Sequence, residues 1–257
     1  MSCAQNPEYA QTSSTARRRC DTIPGVERPT DDPGLPLGER AYRTLRQAIV
    51  RCEFEPGTRL RVEDLSQRYA LSSSPLREAL QRLAEQGLVR ALENRGFRVA
   101  PLTVEGVCDL SRVRQLVEAD ALRDAVRHGD DAWEAGCVAA AHALAVLEQR
   151  LGEGPRALDD DWSARHRAFH LALYAGCTSP LLLSLVEVLF DNAERYRRWT
   201  ARHRTVPRRK HEEHQRLLAA ALSRDADKAV ALLQQHITAT ERLVVAGLTA
   251  MGNPRLQ

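Results

Sequence analysis

Apolar residues change their period along this chain, and each change marks a boundary. From 62 to 87 the pattern is that of two short helices joined by a serine-rich turn. In the second, Leu76, Ala79, Leu80, Leu83 and Ala84 share one face at helical spacing, while Arg77, Gln81 and Arg82 lie off it. Residues 88–99 alternate instead, predicting a small hairpin with Asn94-Arg95-Gly96 at its tip. From Thr103 the helical period returns and lasts to the end, with Val113, Leu116, Val117, Ala121 and Leu122 on one face. Further helices are predicted over 132–151, 162–174, 180–199, 211–222 and 226–248. Gly129, Gly152-Glu-Gly-Pro155, Gly176 with Pro180, and Pro207 punctuate the series. Residues 1–36 show no apolar period and are rich in Ser, Thr, Pro, Asp and Arg, the composition of a disordered arm.

The expected fold is therefore mainly α. A disordered arm (1–36) precedes a winged helix-turn-helix domain (37–102) and a bundle of about six helices (103–250). The second short helix has its own punctuation. Ser74 is the expected N-cap, Pro75 fits the first helical position, where no N–H is needed, and Gly87 can end the helix in a left-handed conformation. Helix, turn, helix and hairpin in this order form a DNA-reading layout whose second helix enters the major groove. Ser72, Ser73, Ser74 and Arg77 are the candidate contacts. Serines and a helix N-terminus can hold phosphates, and arginine can bond a guanine edge twice.

Residues 37–102 resemble the GntR superfamily of winged-helix regulators. The resemblance is carried by a first helix over 41–51, Glu55-Pro-Gly-Thr-Arg-Leu60, Ser72-Ser-Ser-Pro-Leu-Arg-Glu-Ala-Leu80, Leu83-Ala-Glu-Gln-Gly-Leu-Val89 and Arg95-Gly-Phe-Arg-Val99. It implies that Arg61, Arg95 and Gly96 join the DNA-contacting set. It also exposes a departure: Ser73 stands where the family has an arginine, and Arg77 matches the family's second DNA-reading arginine.

In the helical half, His166 and His170 are four residues apart and face the same way on a helix. His214 and His236 lie on later helices among inward-looking apolar positions, so four imidazoles could converge in the bundle. The alternative is a set of scattered core and surface histidines. Residues Arg114-Gln-Leu-Val-Glu118, His166-Arg-Ala-Phe-His170, Glu213-His214 and 225–236 resemble the FCD ligand-binding domain of the FadR subgroup. The resemblance implies a metal site in which His170, His214 and His236 match three family ligands and His166 replaces an acidic one. Four nitrogen ligands favour zinc, nickel, cobalt or copper over manganese or magnesium, with zinc or nickel the expected cofactor. With one negative charge fewer beside the ion, an anionic effector would be held more strongly. Arg114 has two readings: it grips the effector's carboxylate through its guanidinium fork, or it pairs on the helix surface with Glu118.

Composition narrows the classes. The net charge is only +3 in 257 residues, yet 37–102 holds twelve arginines against eight acidic residues, a local surplus suited to a specific DNA binder. Arg17-Arg18-Arg19 reads as a solvated cluster or as a phosphate contact. The six cysteines show no C-x-x-C, no apolar run spans a membrane, and no secretory signal opens the chain, so a cytoplasmic protein with free thiols is expected. The leading reading is a homodimeric repressor of operator DNA controlled by a small carboxylate-type effector, and not an enzyme. A metal-sensing regulator and an all-helical metalloenzyme with a DNA-binding domain are the alternatives. Against the latter, four protein ligands tend to close a site that catalysis needs open.

Overall fold

The computed structural model describes residues 34–93, 95–151, 159–202 and 211–251. The head comprises α1 (Leu37–Val50), β1 (Arg59–Leu60), α2 (Val62–Tyr69), α3 (Ser73–Glu85), β2 (Val89–Leu92) and β3 (Gly96–Val99). Leu45, Ile49, Leu65, Leu76, Leu80 and Leu83 fill its core, with Leu88 and Val99 closing it from the wing side. The three strands run antiparallel in the order β1-β3-β2, with Leu92 opposite Gly96 and Leu60 opposite Phe97. Gly87 sits at φ +74, the left-handed geometry expected of it, and turns the chain from α3 into the wing.

The start of α3 corrects the expectation of a Ser74 cap. The helix begins at Ser73, with Ser72 in extended conformation as N-cap and no side-chain cap bond. Pro75 is thus the third helical residue, not the first. It is tolerated because the first four N–H groups of a helix lack an intrahelical acceptor anyway.

Six helices follow among the described residues: α4 (Val104–His128), α5 (Asp131–Leu151), α6 (Asp160–Tyr174), α7 (Pro180–Ala201), α8 (His211–Leu222) and α9 (Ala226–Ala250). Thr103 caps α4, its hydroxyl accepting from Gly106 N at 3.0 Å. Leu122, Phe169, Leu173, Tyr174, Leu217 and Leu233 make the bundle core. The expected inward face of α4 is only partly right. Ala121 and Leu122 are buried, but Leu116 is 70% exposed, and the buried stripe runs through Ser111, Arg114 and Glu118 instead. A polar stripe can face inward because its charges pair there. Among the described residues no helix is long and apolar enough to cross a membrane. The expected arm lies outside the described residues, apart from 34–36, and so do Arg17-Arg18-Arg19, Asn94 and the punctuating segments at 152–155 and 207.

Helix α7 joins the two halves. Asp191 pairs with Arg46 of α1, and Asn192 Nδ2 donates to Gln86 O at the end of α3, 2.9 Å away. Arg195 Nη2 donates to Ala100 O at 2.6 Å, and Arg202 Nη2 to Cys52 O at 3.0 Å. Tyr196 Oη accepts from Thr103 N at 3.4 Å. It lies so close to α4 that a Cβ on Gly106 would come within 2.5 Å of it, which is why a glycine serves there.

Candidate metal centre and DNA-reading surface

The four histidines converge. One ring nitrogen from each of His166, His170, His214 and His236 lies within 4.8 Å of the other three, and all four residues are buried. Helix α6 supplies His166 and His170 from successive turns of one face, while α8 and α9 supply His214 and His236. The ring centroids are 4.6 Å apart for His166–His170, 5.4 Å for His170–His214 and 5.1 Å for His214–His236.

These residues fit a divalent ion. With metal–nitrogen bonds of about 2.0–2.1 Å, ligand atoms stand ~3.4 Å apart in a tetrahedral set and ~4.2 Å apart where two face each other across the ion, so each side chain would close in by less than about 1 Å. Among the described residues both ring nitrogens of His170 are buried without a hydrogen-bond partner, a costly state for an imidazole that an ion would relieve. Burial, reinforced by the charges of His236, His214, Arg197 and Arg114, holds His170 well below its usual 6.5, so its imidazole is neutral and able to ligate. His236 Nδ1 lies 2.8 Å from Glu213 Oε2, a carboxylate support that leaves the other nitrogen available to ligate. Trp162 stacks on His166 at 4.5 Å and covers the cluster along α6.

Two buried guanidinium groups flank the cluster. Arg114 donates from Nε and Nη2 to the two oxygens of Glu118, at 2.5 and 3.2 Å, and Tyr174 Oη donates to the same carboxylate at 2.8 Å. The Arg114–Glu118 pair foreseen on the helix surface is therefore present but buried. Burial disfavours the charge on Arg114, but Glu118 outweighs it and holds the guanidinium firmly protonated. Among the described residues its Nη1 makes no hydrogen bond. Arg197 pairs with Glu194 at 2.8 Å and lies over the Phe190 ring at 4.6 Å. Phe190 in turn sits 5.8 Å from the rings of both His166 and His170.

Sequence reasoning missed Glu194, Arg197, Trp162 and the supporting role of Glu213. The pairing of Glu194 with Arg197 and Arg198 was legible as i,i+3 and i,i+4 spacing. Its burial was not, because an isolated helix pattern places such pairs on the solvent side.

On the head, Arg61, Ser72, Ser73, Ser74, Arg77, Arg95 and Gly96 are all exposed. The serines and Arg77 line the first turn of α3 and its approach, Arg61 precedes α2, and Arg95 and Gly96 stand at the wing tip, where Arg95 O accepts from Arg59 Nη2 at 3.2 Å.

Residues 37–99 match the family described as bacterial regulatory proteins, gntR family, and residues 109–239 match the FCD domain. A curated relative is the HTH-type transcriptional repressor GlaR of Escherichia coli, 40% identical over 76% of this chain and 90% of its own. Another is the uncharacterized HTH-type transcriptional regulator BphR of Paraburkholderia xenovorans, 38% identical over 81% of this chain and 85% of its own. Among solved structures, E. coli McbR/YncC superposes with a TM-score of 0.68 at 21% identity, covering 85% of this chain and all of that one, a likeness of fold. A GntR family transcriptional regulator from Pseudomonas syringae gives a TM-score of 0.50 at 28% identity, covering 84% of this chain and 87% of that one.

Proposed function

This chain is a DNA-binding transcription regulator that belongs to the GntR family and carries an FCD domain, and on that premise we propose that it is a repressor whose operator affinity is set by a small carboxylate bound at a metal centre in the bundle. The observation that carries the reading is the convergence of four buried imidazoles from three helices. The repressor sense follows the relative named a transcriptional repressor. Its relatives are named as regulators, and the chain is not an enzyme.

His166, His170, His214 and His236 would hold the ion, zinc or nickel by ligand type, which when bound would supply positive charge that attracts an anion and, only where the ion takes more than four ligands, a position for an anionic oxygen. Glu213 orients His236. Arg114 would take the effector's carboxylate through Nη1, while Glu118 and Tyr174 keep its fork in place. On the DNA side, Arg77 would read a base edge from α3, Ser72, Ser73 and Ser74 would hold phosphates at its N-terminus, and Arg61, Arg95 and Gly96 would meet the flanking backbone and groove. On this reading 37–102 is the DNA-binding domain and 103–250 the effector-binding and dimerisation domain. Two copies would place two heads on a near-palindromic operator. The exposed Leu116 on α4, whose neighbour Gln115 bonds Thr238 of α9, makes this pair of helices the proposed dimer face.

A chain of contacts supports communication between the halves. Helix α6 carries His166 and His170, and its first residue, Asp160, pairs with Arg51 at the end of α1 (3.2 Å) and with Arg198 of α7 (2.6 Å). Arg198 and Arg197 share Glu194, and Arg197 covers the Phe190 that packs on the cluster. A ligand that shifts α6 or α7 therefore acts on the contacts that seat the head, the two-site coupling that allostery requires. The reading is tested by selecting an operator from random duplexes and measuring its Kd with zinc-loaded and metal-stripped protein, with and without a panel of small carboxylates. A carboxylate that changes Kd only in the loaded protein supports it, and a Kd indifferent to metal and to every carboxylate overturns it.

A further inference from the structure

A groove of about 670 Å³ runs between the head and the bundle, away from the histidine cluster. Gln81 and Glu85 of α3 and Arg90 of β2 border it on the head side; Asn192, Arg195 and Tyr196 of α7 border it on the other. Arg195 is its anomaly. The residue is 2% exposed, yet among the described residues no carboxylate pairs with it. Its Nη2 donates to Ala100 O and its Cys52 neighbour donates to its backbone carbonyl. Among the described residues its Nε is buried without a partner, and no hydrogen bond is made by its Nη1.

A buried guanidinium without a counter-charge is expensive, and an anion bound beside it would relieve that cost. Among the described residues the other two buried arginines of the bundle each have an acid: Arg114 has Glu118 and Arg197 has Glu194. Burial lowers the Arg195 pKa, and the neighbouring Cys52 and Tyr196 offset this only in part. Arg90 adds a second, exposed cation at the same groove, and the Tyr196 hydroxyl, which accepts from Thr103 N, keeps its own proton to donate. Glu85 opposes at the α3 border, so an anion would settle towards α7.

We propose that this groove is a second anion site, in which Arg195, Arg90 and Tyr196 hold a small metabolite through its carboxylate or phosphate group. A ligand there touches the back of the DNA-reading helix and α7 at once, and so braces the head against the bundle without contacting the histidines. This site does not rest on the metal reading and can succeed or fail separately.

The test uses metal-stripped full-length protein, with inorganic phosphate and succinate as probes. Tm is followed in each against sodium chloride of equal ionic strength. The expected result is a saturable rise with at least one probe, and which one saturates identifies the group. The rise should persist in His170→Ala, need several-fold more ligand in the exposed-site variant Arg90→Gln, and vanish in Arg195→Gln. Arg195→Lys, which keeps the charge but loses the fork, should bind more weakly and guards against a variant that fails to fold. No saturable rise with either probe, or a rise unchanged in both Arg90→Gln and Arg195→Lys, overturns the proposal.

Discussion

His236 on α9 and Glu213 on α8 meet at 2.8 Å, and this contact ties the orientation of one candidate ligand to a carboxylate on the neighbouring helix. Such supports fix the ring tautomer and raise its basicity. Glu213→Gln is therefore expected to weaken zinc binding roughly 10- to 100-fold without removing any ligand. Competition titration against a fluorescent zinc chelator measures this directly. An unchanged affinity would mean the contact is only a surface pair.

Arg77 should matter to sequence choice more than its exposed neighbours. Arg77→Ala is expected to cost about 1–3 kcal/mol of operator binding, roughly 5- to 150-fold in Kd, and to relax preference at one base pair. Ser74→Ala should weaken all duplexes more evenly, as loss of a phosphate contact does. Anisotropy titrations at a single fixed salt concentration separate the two, since phosphate affinity varies steeply with salt.

The elements of the head and bundle were largely legible. Periodicity placed α8 over 211–222, and the spacing of His166 and His170 put both rings on one face of α6. What escaped was whatever depends on partners distant in sequence. The inward face of α4 was read from its apolar residues, yet Arg114 and Glu118 are buried because Tyr174, more than fifty residues on, completes their network, while Leu116 is left outside. The joints Asp191–Arg46 and Asn192–Gln86 were equally invisible, since each pairs residues that look like ordinary surface positions on their own helices. The α3 cap was misplaced by two residues because Ser72, Ser73 and Ser74 are chemically alike and only backbone geometry distinguishes them.

Acid should destabilise the metal-free protein in a defined window. Burial first, then neighbouring positive charge, keeps folded His170 unprotonated well below 6.5. Below that pH the unfolded chain binds a proton that the folded one refuses. Stability is thus unaffected by this group above 6.5 and falls as pH drops towards the folded value, by up to about 1.4 kcal/mol per pH unit. Urea unfolding of chelator-treated protein between neutral and mildly acidic pH should show the decline, with a shallower slope in His170→Asn. An equal slope in the variant would place its origin elsewhere.

Asp160 bridges Arg51 of the head and Arg198 of α7, so it is a point at which coupling can be cut without touching ligand or DNA. Asp160→Asn should leave metal content unchanged while shrinking the metal- or carboxylate-dependent change in operator Kd. Coupling energies of this kind are about 1–3 kcal/mol, so a loss of a large part of a 5- to 150-fold response is expected. A full response in the variant would remove Asp160 from the route.

The most direct test of the account is the metal content of each chain, measured by elemental mass spectrometry on chelator-free protein and on His170→Ala after equal dialysis against zinc and nickel, with helical content checked by circular dichroism. The account predicts about one zinc or nickel ion per wild-type chain and none in a folded His170→Ala. A wild-type protein that retains no ion, or a variant that retains as much as the wild type, would contradict it.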